Sequence, residues 1–300
     1  MNLSIPLDVA SSARLTYEAN MERITYGTGR LFLFAGDQKL EHMNDDYFGA
    51  DTHPDDANPE HLFRIASKAK VGAFASQLGL IARYGADYKD IPYIVKMNAK
   101  TDRVKTEQAD PISRQWQTTE QLMKFKKQSG LNIVGIGYTI YPGSENESVM
   151  YREAAQLIFE AHQQGLVTVI WSYARGKAIK NEKDPHISAG CAGIGACLGT
   201  DFVKVNPPKS ETMSQGEALK ESVQAAGRTG VICAGGSSQP IPEFLQTLHD
   251  QIHIAGCRGN ATGRNIHQRS LEDAVKLCDA IHAITNEDVS VEKALSIINS

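Results

Sequence analysis

The chain is poor in several features whose absence narrows what it can be. It has five cysteines in 300 residues (Cys191, Cys197, Cys233, Cys257 and Cys278), with no C-x-x-C pair and no Cys/His spacing suited to a metal. That argues against a disulfide scaffold or a structural zinc site, and all five read as reduced thiols buried as small apolar side chains. Nine histidines include no H-x-H and no H-E-x-x-H pair, so the convergent imidazoles of a catalytic zinc site are missing too. There is no basic excess: 31 Lys and Arg face 35 Asp and Glu, a net charge of -4. Phosphate neutralisation along a nucleic acid is therefore excluded, although a local pocket for one small anion is not. No apolar run approaches the roughly 18 residues of a membrane span. The first residues show no basic stretch followed by an apolar core, so no secretory leader is expected and a cytoplasmic chain is.

What is present is alternation. Short apolar runs at 31–35, 72–75, 92–97, 133–138, 166–171, 201–205 and 230–234 read as strands. An eighth, at 257–262, is the least strand-like because it carries Arg258 and Asn260. Amphipathic stretches at 60–70, 118–129, 147–164, 187–198, 217–226, 242–251, 271–284 and 291–299 read as helices. Strands alternating with helices imply parallel pairing through crossovers, and eight such units predict a closed (β/α)8 TIM barrel formed by one domain over 1–300. An open doubly wound sheet is the rival architecture. Two segments break the pattern: 42–58 is acidic and rich in Pro, Asp and Gly, and 98–116 is polar. Both follow strand ends, which places them on the face where such barrels carry their sites.

Polar residues at those strand ends are the candidates for chemistry: Asp37, Lys96, Asn98, Tyr138, Trp171, Tyr173, Lys204, Asn206, Ser237 and Arg264. Lys204 stands out because it lies within the apolar run Phe202-Val203-Lys204-Val205. Burying an ammonium is costly; losing its proton relieves the cost and leaves a nucleophilic amine. The competing reading is a structural lysine paired with a carboxylate. Lys96 has a similar setting, and could be the nucleophile, a cation that depresses Lys204, or a structural partner. Tyr173 could move protons if a neighbouring cation lowered its pKa. Asp37 could orient an amine or merely cap the turn that follows it. Ala234-Gly235-Gly236-Ser237 and Thr262-Gly263-Arg264 follow the last two strands, the usual phosphate-binding loops of these barrels. Among the histidines, His42 alone is placed in the site.

These residues resemble those of the archaeal-type class I fructose-bisphosphate aldolases, a family also found in bacteria. The likeness runs from about Leu31 to Ile284. It rests on Asp37-Gln38-Lys39-Leu40-Glu41-His42, Val95-Lys96-Met97-Asn98, Tyr141-Pro142-Gly143-Ser144, Trp171-Ser172-Tyr173, Asp201-Phe202-Val203-Lys204, Ala234-Gly235-Gly236 and Gly263-Arg264-Asn265. The resemblance implies reversible cleavage of fructose 1,6-bisphosphate to two triose phosphates, in glycolysis or gluconeogenesis. Lys204 would form the Schiff base, Tyr173 would be the acid/base of C–C cleavage, and Asp37 would assist the carbinolamine steps. Substrate would be held by His42, Lys96, Trp171, Gly235, Gly236, Ser237, Gly263 and Arg264. No metal or other cofactor is called for, since the iminium replaces a Lewis acid, and a homo-oligomer without nucleic-acid or membrane partners is expected. Three features depart from the family: Met43-Asn44 where Gly-Pro is common, His267 at a position that is often aromatic, and Arg258 with Asn260 in the eighth strand. These bear on substrate identity, and a related Schiff-base aldolase or transaldolase-type enzyme on another sugar phosphate is the alternative. A non-catalytic sugar-phosphate-binding barrel is a remote one.

Overall fold

A computed structural model describes residues 4–103, 110–236 and 239–299. Eight strands run β1 Leu31–Ala35, β2 Ala73–Gln77, β3 Tyr93–Lys96, β4 Ile133–Ile140, β5 Val167–Ser172, β6 Phe202–Val205, β7 Gly230–Ala234 and β8 Gly259–Thr262. Each pairs in parallel with the next, and β8 pairs with β1, closing the barrel. The open-sheet rival is thereby ruled out. Nearly every strand residue is buried, as expected for strands covered on both faces.

The helices are α1 Arg14–Thr25, α2 Gln38–Glu41, α3 Glu60–Lys68, α4 Leu78–Tyr84, α5 Thr119–Ser129, α6 Glu147–Gln163, α7 Pro185–Leu198, α8 Gln215–Ala218, α9 Lys220–Ala226, α10 Ile241–His253, α11 Arg264–His267, α12 Leu271–Glu287 and α13 Val291–Ile298. Periodicity in the sequence had not revealed α1. Its apolar face is only Tyr17, Met21 and Ile24 amid polar residues, and tertiary packing rather than propensity holds it. The short α4 was missed for want of length. The expected helix at 217–226 is two pieces, the first opened by a capping box between Ser214 and Glu217. One cysteine reading is corrected: Cys197 is exposed, lying on the outward side of α7, whereas the other four are buried. The described residues include no helix long and apolar enough to cross a membrane.

The unpromising eighth strand has a plain explanation. Arg258 precedes the strand and is exposed. Asn260 faces the helix layer, where it donates to Thr285 Oγ1 at 3.0 Å and accepts from Thr262 Oγ1 at 2.9 Å. A polar strand is tolerated here because its outward side chains satisfy each other.

At the N-terminal end of the barrel Asp201, just before β6, gathers a buried network. It accepts from the Tyr17 hydroxyl, from Thr168 N at 2.8 Å and Oγ1 at 3.0 Å, and lies 3.1 Å from His162 Nε2. The other His162 nitrogen is 2.8 Å from Asp8 Oδ2. Burial opposes charge on this imidazole, but the hydrogen bonds and charges of Asp201 and Asp8 outweigh it and raise its pKa to about 9. A folded-state pKa above the unfolded value stabilises the fold fully below about pH 6.5, and that contribution disappears as pH rises through 9. Thermal unfolding of wild type and His162→Gln across pH 5.5–9.5 checks this: the stability gap should be widest, at up to about 3 kcal/mol, at the acid end and shrink towards pH 9. A gap independent of pH excludes an imidazolium at this position.

Candidate active site

At the opposite, C-terminal end of the barrel, inward-facing side chains of β3, β4, β5 and β6 converge. Parallel register sets Lys96 beside Gly137, Thr139 beside Trp171 and Trp171 beside Lys204. The two lysines therefore share one indole: Lys96 Nζ lies 3.9 Å and Lys204 Nζ 5.3 Å from its ring centroid. Gly137 makes this possible. A Cβ there would fall 2.5 Å from Trp171 Cζ3 and 3.1 Å from Lys96 Cδ.

The two amines differ in their company. Lys96 is fully buried and heavily engaged, donating to Thr139 Oγ1 at 2.6 Å and sitting 3.3 Å from Asp37 Oδ2 and 4.0 Å from Glu41 Oε1. Lys204 is buried, yet no hydrogen bond or ion pair joins its amine to another side chain among the described residues. Burial pushes its pKa down, Asp37 and Glu41 pull it back up, and Lys96 adds a further downward push. Of the readings open for the two lysines, the geometry favours Lys204 as the free amine and Lys96 as the fixed cation beside it. A capping role for Asp37 is not realised: its carboxylate makes no cap hydrogen bond to α2 and faces Lys96.

Tyr173 continues the inward alternation past the end of β5 and is buried. The expected lowering of its pKa is not what the site imposes. Burial, then Glu41 and Asp37, hold the phenol well above its ordinary value, and the Arg175 guanidinium, 5.7 Å from its ring, only partly opposes them. The phenol in the unliganded site is thus a proton carrier, not a phenolate. The same two carboxylates act on both Tyr173 and Lys204.

Around the mouth runs a chain of ion pairs. His42 Nδ1 is 2.5 Å from Asp46 Oδ2, and its Nε2 is 3.3 Å from Asp102 Oδ2. Asp102 Oδ1 in turn meets Arg175 Nη1 at 3.1 Å and Lys100 Nζ at 3.7 Å. Arg264 Nε lies 3.7 Å from Asp46 Oδ2. Sequence reasoning had not singled out Glu41, Lys100, Asp102 or Arg175. Two carried a usable signal: Glu41 falls one helical turn after Asp37, and Arg175 two residues after Tyr173. Tyr138 and Asn98 are not brought into the cluster. Tyr138 faces the helix layer and donates to Glu153 Oε2 at 2.7 Å. Asn98 pins the 98–116 segment, bonding Ser113 O and both backbone groups of Thr139.

The two glycine loops lie side by side, tied by Asn265, which donates to Gly235 O at 3.1 Å and accepts from Gln239 N at 3.2 Å. The Gly235 N–H is already used, donating to Ala261 O at 3.1 Å. Gly236 is left-handed, with φ 69°. A Cβ on Gly263 would sit 2.2 Å from Gln38 Oε1 and 2.7 Å from Ala35 O, so only glycine lets this loop close against the end of β1. A cavity of about 280 Å³ opens beside Gly235 and Gly236 and is lined also by Lys183 and Lys209, but by neither Gly263 nor Arg264. Ser237 falls outside the described residues.

The 42–58 segment and His267 prove to be one unit. His267 and Asp56 are fully buried and paired at 2.7 Å, and the other ring nitrogen is 3.2 Å from Gln38 Oε1. Tyr47 stacks on the imidazole at 4.6 Å with an interplanar angle of 4°. His267 thus fills a position that is often aromatic in the family with another flat ring. Met43 takes φ 57°, a left-handed conformation that glycine adopts at less cost, which accounts for the glycine common at that position.

Comparison with known proteins places these features in a wider set. A model of the DeoC/LacD family aldolases matches residues 31–269. The chain is 56% identical over 296 residues to a Methanocaldococcus jannaschii protein named fructose-bisphosphate aldolase/6-deoxy-5-ketofructose 1-phosphate synthase, covering 99% of this chain and 94% of that one. It is 31% identical to a class 1 fructose-bisphosphate aldolase of Halobacterium salinarum, covering 90% and 95%. A solved fructose-bisphosphate aldolase from Slackia heliotrinireducens superposes with a TM-score of 0.97 at 53% identity, over 99% and 94% of the two chains. An archaeal fructose-1,6-bisphosphate aldolase, solved with its catalytic lysine bound to a carbinolamine intermediate, superposes with a TM-score of 0.76 at 30% identity, over 90% and 99%.

The indole shared by two amines yields a direct test. Gly137→Ala should displace Trp171, costing about 1–3 kcal/mol of overpacking strain, read as a Tm several degrees lower. In a Trp116→Phe background the emission of Trp171 should shift at the same time. An unchanged Tm and spectrum would show that the ring has room the contacts deny.

Proposed function

The chain belongs to the DeoC/LacD aldolases, and within them to the archaeal-type class I fructose-bisphosphate aldolases, and from that we propose how its barrel mouth works. It is an aldolase that cleaves and forms fructose 1,6-bisphosphate through a Schiff base, with dihydroxyacetone phosphate and glyceraldehyde 3-phosphate as the other partners. The observation that carries the residue assignment is the state of Lys204: an inward-facing, buried amine over the Trp171 ring with no hydrogen-bond or ion-pair partner among the described residues, depressed by burial and by a fixed neighbouring cation. Such an amine spends more time unprotonated than a surface lysine and is a nucleophile towards a ketone.

In this reading Lys204 attacks the C2 carbonyl, and the resulting iminium is the electron sink for breaking C3–C4, the place a Lewis-acid metal would otherwise take. Tyr173 supplies a proton to the aldehyde oxygen as the bond forms and takes it back as the bond breaks, the role suited to a phenol held protonated. Burial and the Lys96 cation push the Lys204 amine towards its neutral form against the pull of Asp37, which holds Lys96 in place and assists the Schiff-base steps. Trp171 walls the pocket, and its indole N–H, buried without a hydrogen-bond partner among the described residues, is available to a substrate oxygen. One phosphate rests on the Gly235–Gly236 and Gly263–Arg264 loops together with Ser237, and His42 lines the mouth. We place the enzyme in the cytoplasm, in triose and hexose phosphate metabolism, as a homo-oligomer; the free, mostly buried thiols support a reducing setting.

A second reading concerns substrate range. The Methanocaldococcus jannaschii relative, at 56% identity, bears a second activity in its name, the synthesis of 6-deoxy-5-ketofructose 1-phosphate. In this reading a Schiff base of a ketose phosphate on Lys204 would serve either reaction.

Borohydride reduction in the presence of dihydroxyacetone phosphate should add one triose phosphate to Lys204, located by peptide mass spectrometry. Lys204→Met should lose the adduct together with at least about 10³-fold of the cleavage rate. An adduct on Lys96, or full activity in Lys204→Met, refutes the assignment. A panel of ketose phosphates then ranks the two substrate readings: poor cleavage of fructose 1,6-bisphosphate beside good turnover of the 6-deoxy-5-keto analogue selects the second.

A further inference from the structure

Glu41 has no part in the scheme above, yet its position is hard to account for as packing. It closes the one-turn helix α2 opened by Asp37, so the two carboxylates share a face. Its side chain is only 13% exposed, and Oε1 is buried with no hydrogen-bond partner among the described residues. The Lys96 amine is 4.0 Å from Oε1 but 3.3 Å from Asp37 Oδ2 and is thereby already matched. A buried carboxylate left over after pairing is expensive to ionise, and taking up a proton is the usual relief. Burial first, and Asp37 next, push the Glu41 pKa up, against the pull of Lys96 and Lys204.

The charge count of the mouth then closes in both states of the reaction. With Lys204 a neutral amine, the Lys96–Asp37 pair is balanced and Glu41 carries a proton. When the amine becomes an iminium the site gains one positive charge, and a Glu41 carboxylate matches it. Schiff-base formation needs one such proton: amine and ketone give a carbinolamine, which loses its hydroxyl as water only if that oxygen is protonated. Resting on the reading of Lys204 as the Schiff-base residue, we propose that Glu41 is a further catalytic residue, the acid that protonates the departing carbinolamine hydroxyl. The Glu41 O–H bond and the C2–O bond break, the nitrogen lone pair forms C=N, water leaves, and the Glu41 carboxylate remains beside the iminium. Hydrolysis runs the same step backwards and returns the proton to Glu41. Tyr173 is the less suitable donor for this step, because burial, with Asp37 behind it, holds its phenol above its ordinary value, whereas a carboxyl raised from its ordinary value moves towards the working pH.

The test separates dehydration from C–C chemistry. Enzyme-catalysed exchange of the C2 oxygen of dihydroxyacetone phosphate with ¹⁸O-water, taken above the spontaneous exchange through the ketone hydrate, requires carbinolamine dehydration and no C–C cleavage, and the rate of borohydride-trapped adduct formation reports the same step. Glu41→Gln should slow both by about 10²-fold, with the adduct still forming on Lys204, while Tyr173→Phe should leave both near wild type and lose cleavage. Added formate should restore exchange to Glu41→Ala, which a merely structural carboxylate would not allow, and circular dichroism with Tm confirms that each variant is folded. Exchange at the wild-type rate in Glu41→Gln, or slow exchange in Tyr173→Phe with normal exchange in Glu41→Gln, overturns the proposal. Loss of every adduct from Lys204 in the wild-type enzyme instead overturns the Schiff-base reading on which it rests.

Discussion

Two lysines and two carboxylates share a mouth almost closed to water, and the cost of charge in that place governs the rest of the site. In bulk water four such groups would all be ionised and would scarcely notice one another. At the end of this barrel they cannot all be solvated, so the charges must be matched within the cluster. Lys96 is matched by Asp37 at 3.3 Å and held by Thr139 and the face of Trp171. The remaining amine, Lys204, and the remaining carboxyl, Glu41, are then both driven towards their neutral forms. Burial is the first cause of both shifts, and the neighbouring charges set how far each goes.

The barrel supplies the geometry for this through small residues as much as large ones. Gly137 is the blank on β4 over which the indole lies, and Gly263 is the blank on which Gln38 closes. Each removes a side chain so that a functional one can reach the axis. The opposite end of the same strands is organised for stability: Asp201, three residues before Lys204, is locked by Tyr17, His162 and Thr168. The strand that presents the amine is thus anchored at its base by a network that never meets substrate, the division of labour expected between the two faces of a TIM barrel.

Packing of the 42–58 segment joins features that look unrelated along the chain. His267 is sandwiched into the fold by Asp56 and Tyr47, and its other ring nitrogen meets Gln38, the residue beside Asp37. The segment so fixed delivers Asp46 to both His42 and Arg264. The mouth therefore carries its cations already engaged with carboxylates, and an incoming phosphate must compete with Asp46 and Asp102 for them. This is where substrate range is open to tuning.

The sequence by itself determined the eight strands, their parallel order and the identity of the residues at their ends, because burial on both faces writes continuous apolar runs such as 31–35 and 201–205, and a lysine inside such a run is conspicuous. It could not separate Lys96 from Lys204, since both sit in the same local pattern; the difference is that one has Asp37 and Thr139 within reach, contacts of residues 59 and 43 positions away from Lys96. Nor could it show that Tyr173 is held protonated, that Tyr138 turns outward, or that His267 belongs with Asp56. Helix α1 escaped because its three apolar side chains matter only against the barrel floor they cover. Local periodicity records which side of an element is buried, whereas a charge state depends on which other charges are buried with it, and only the closed barrel decides that.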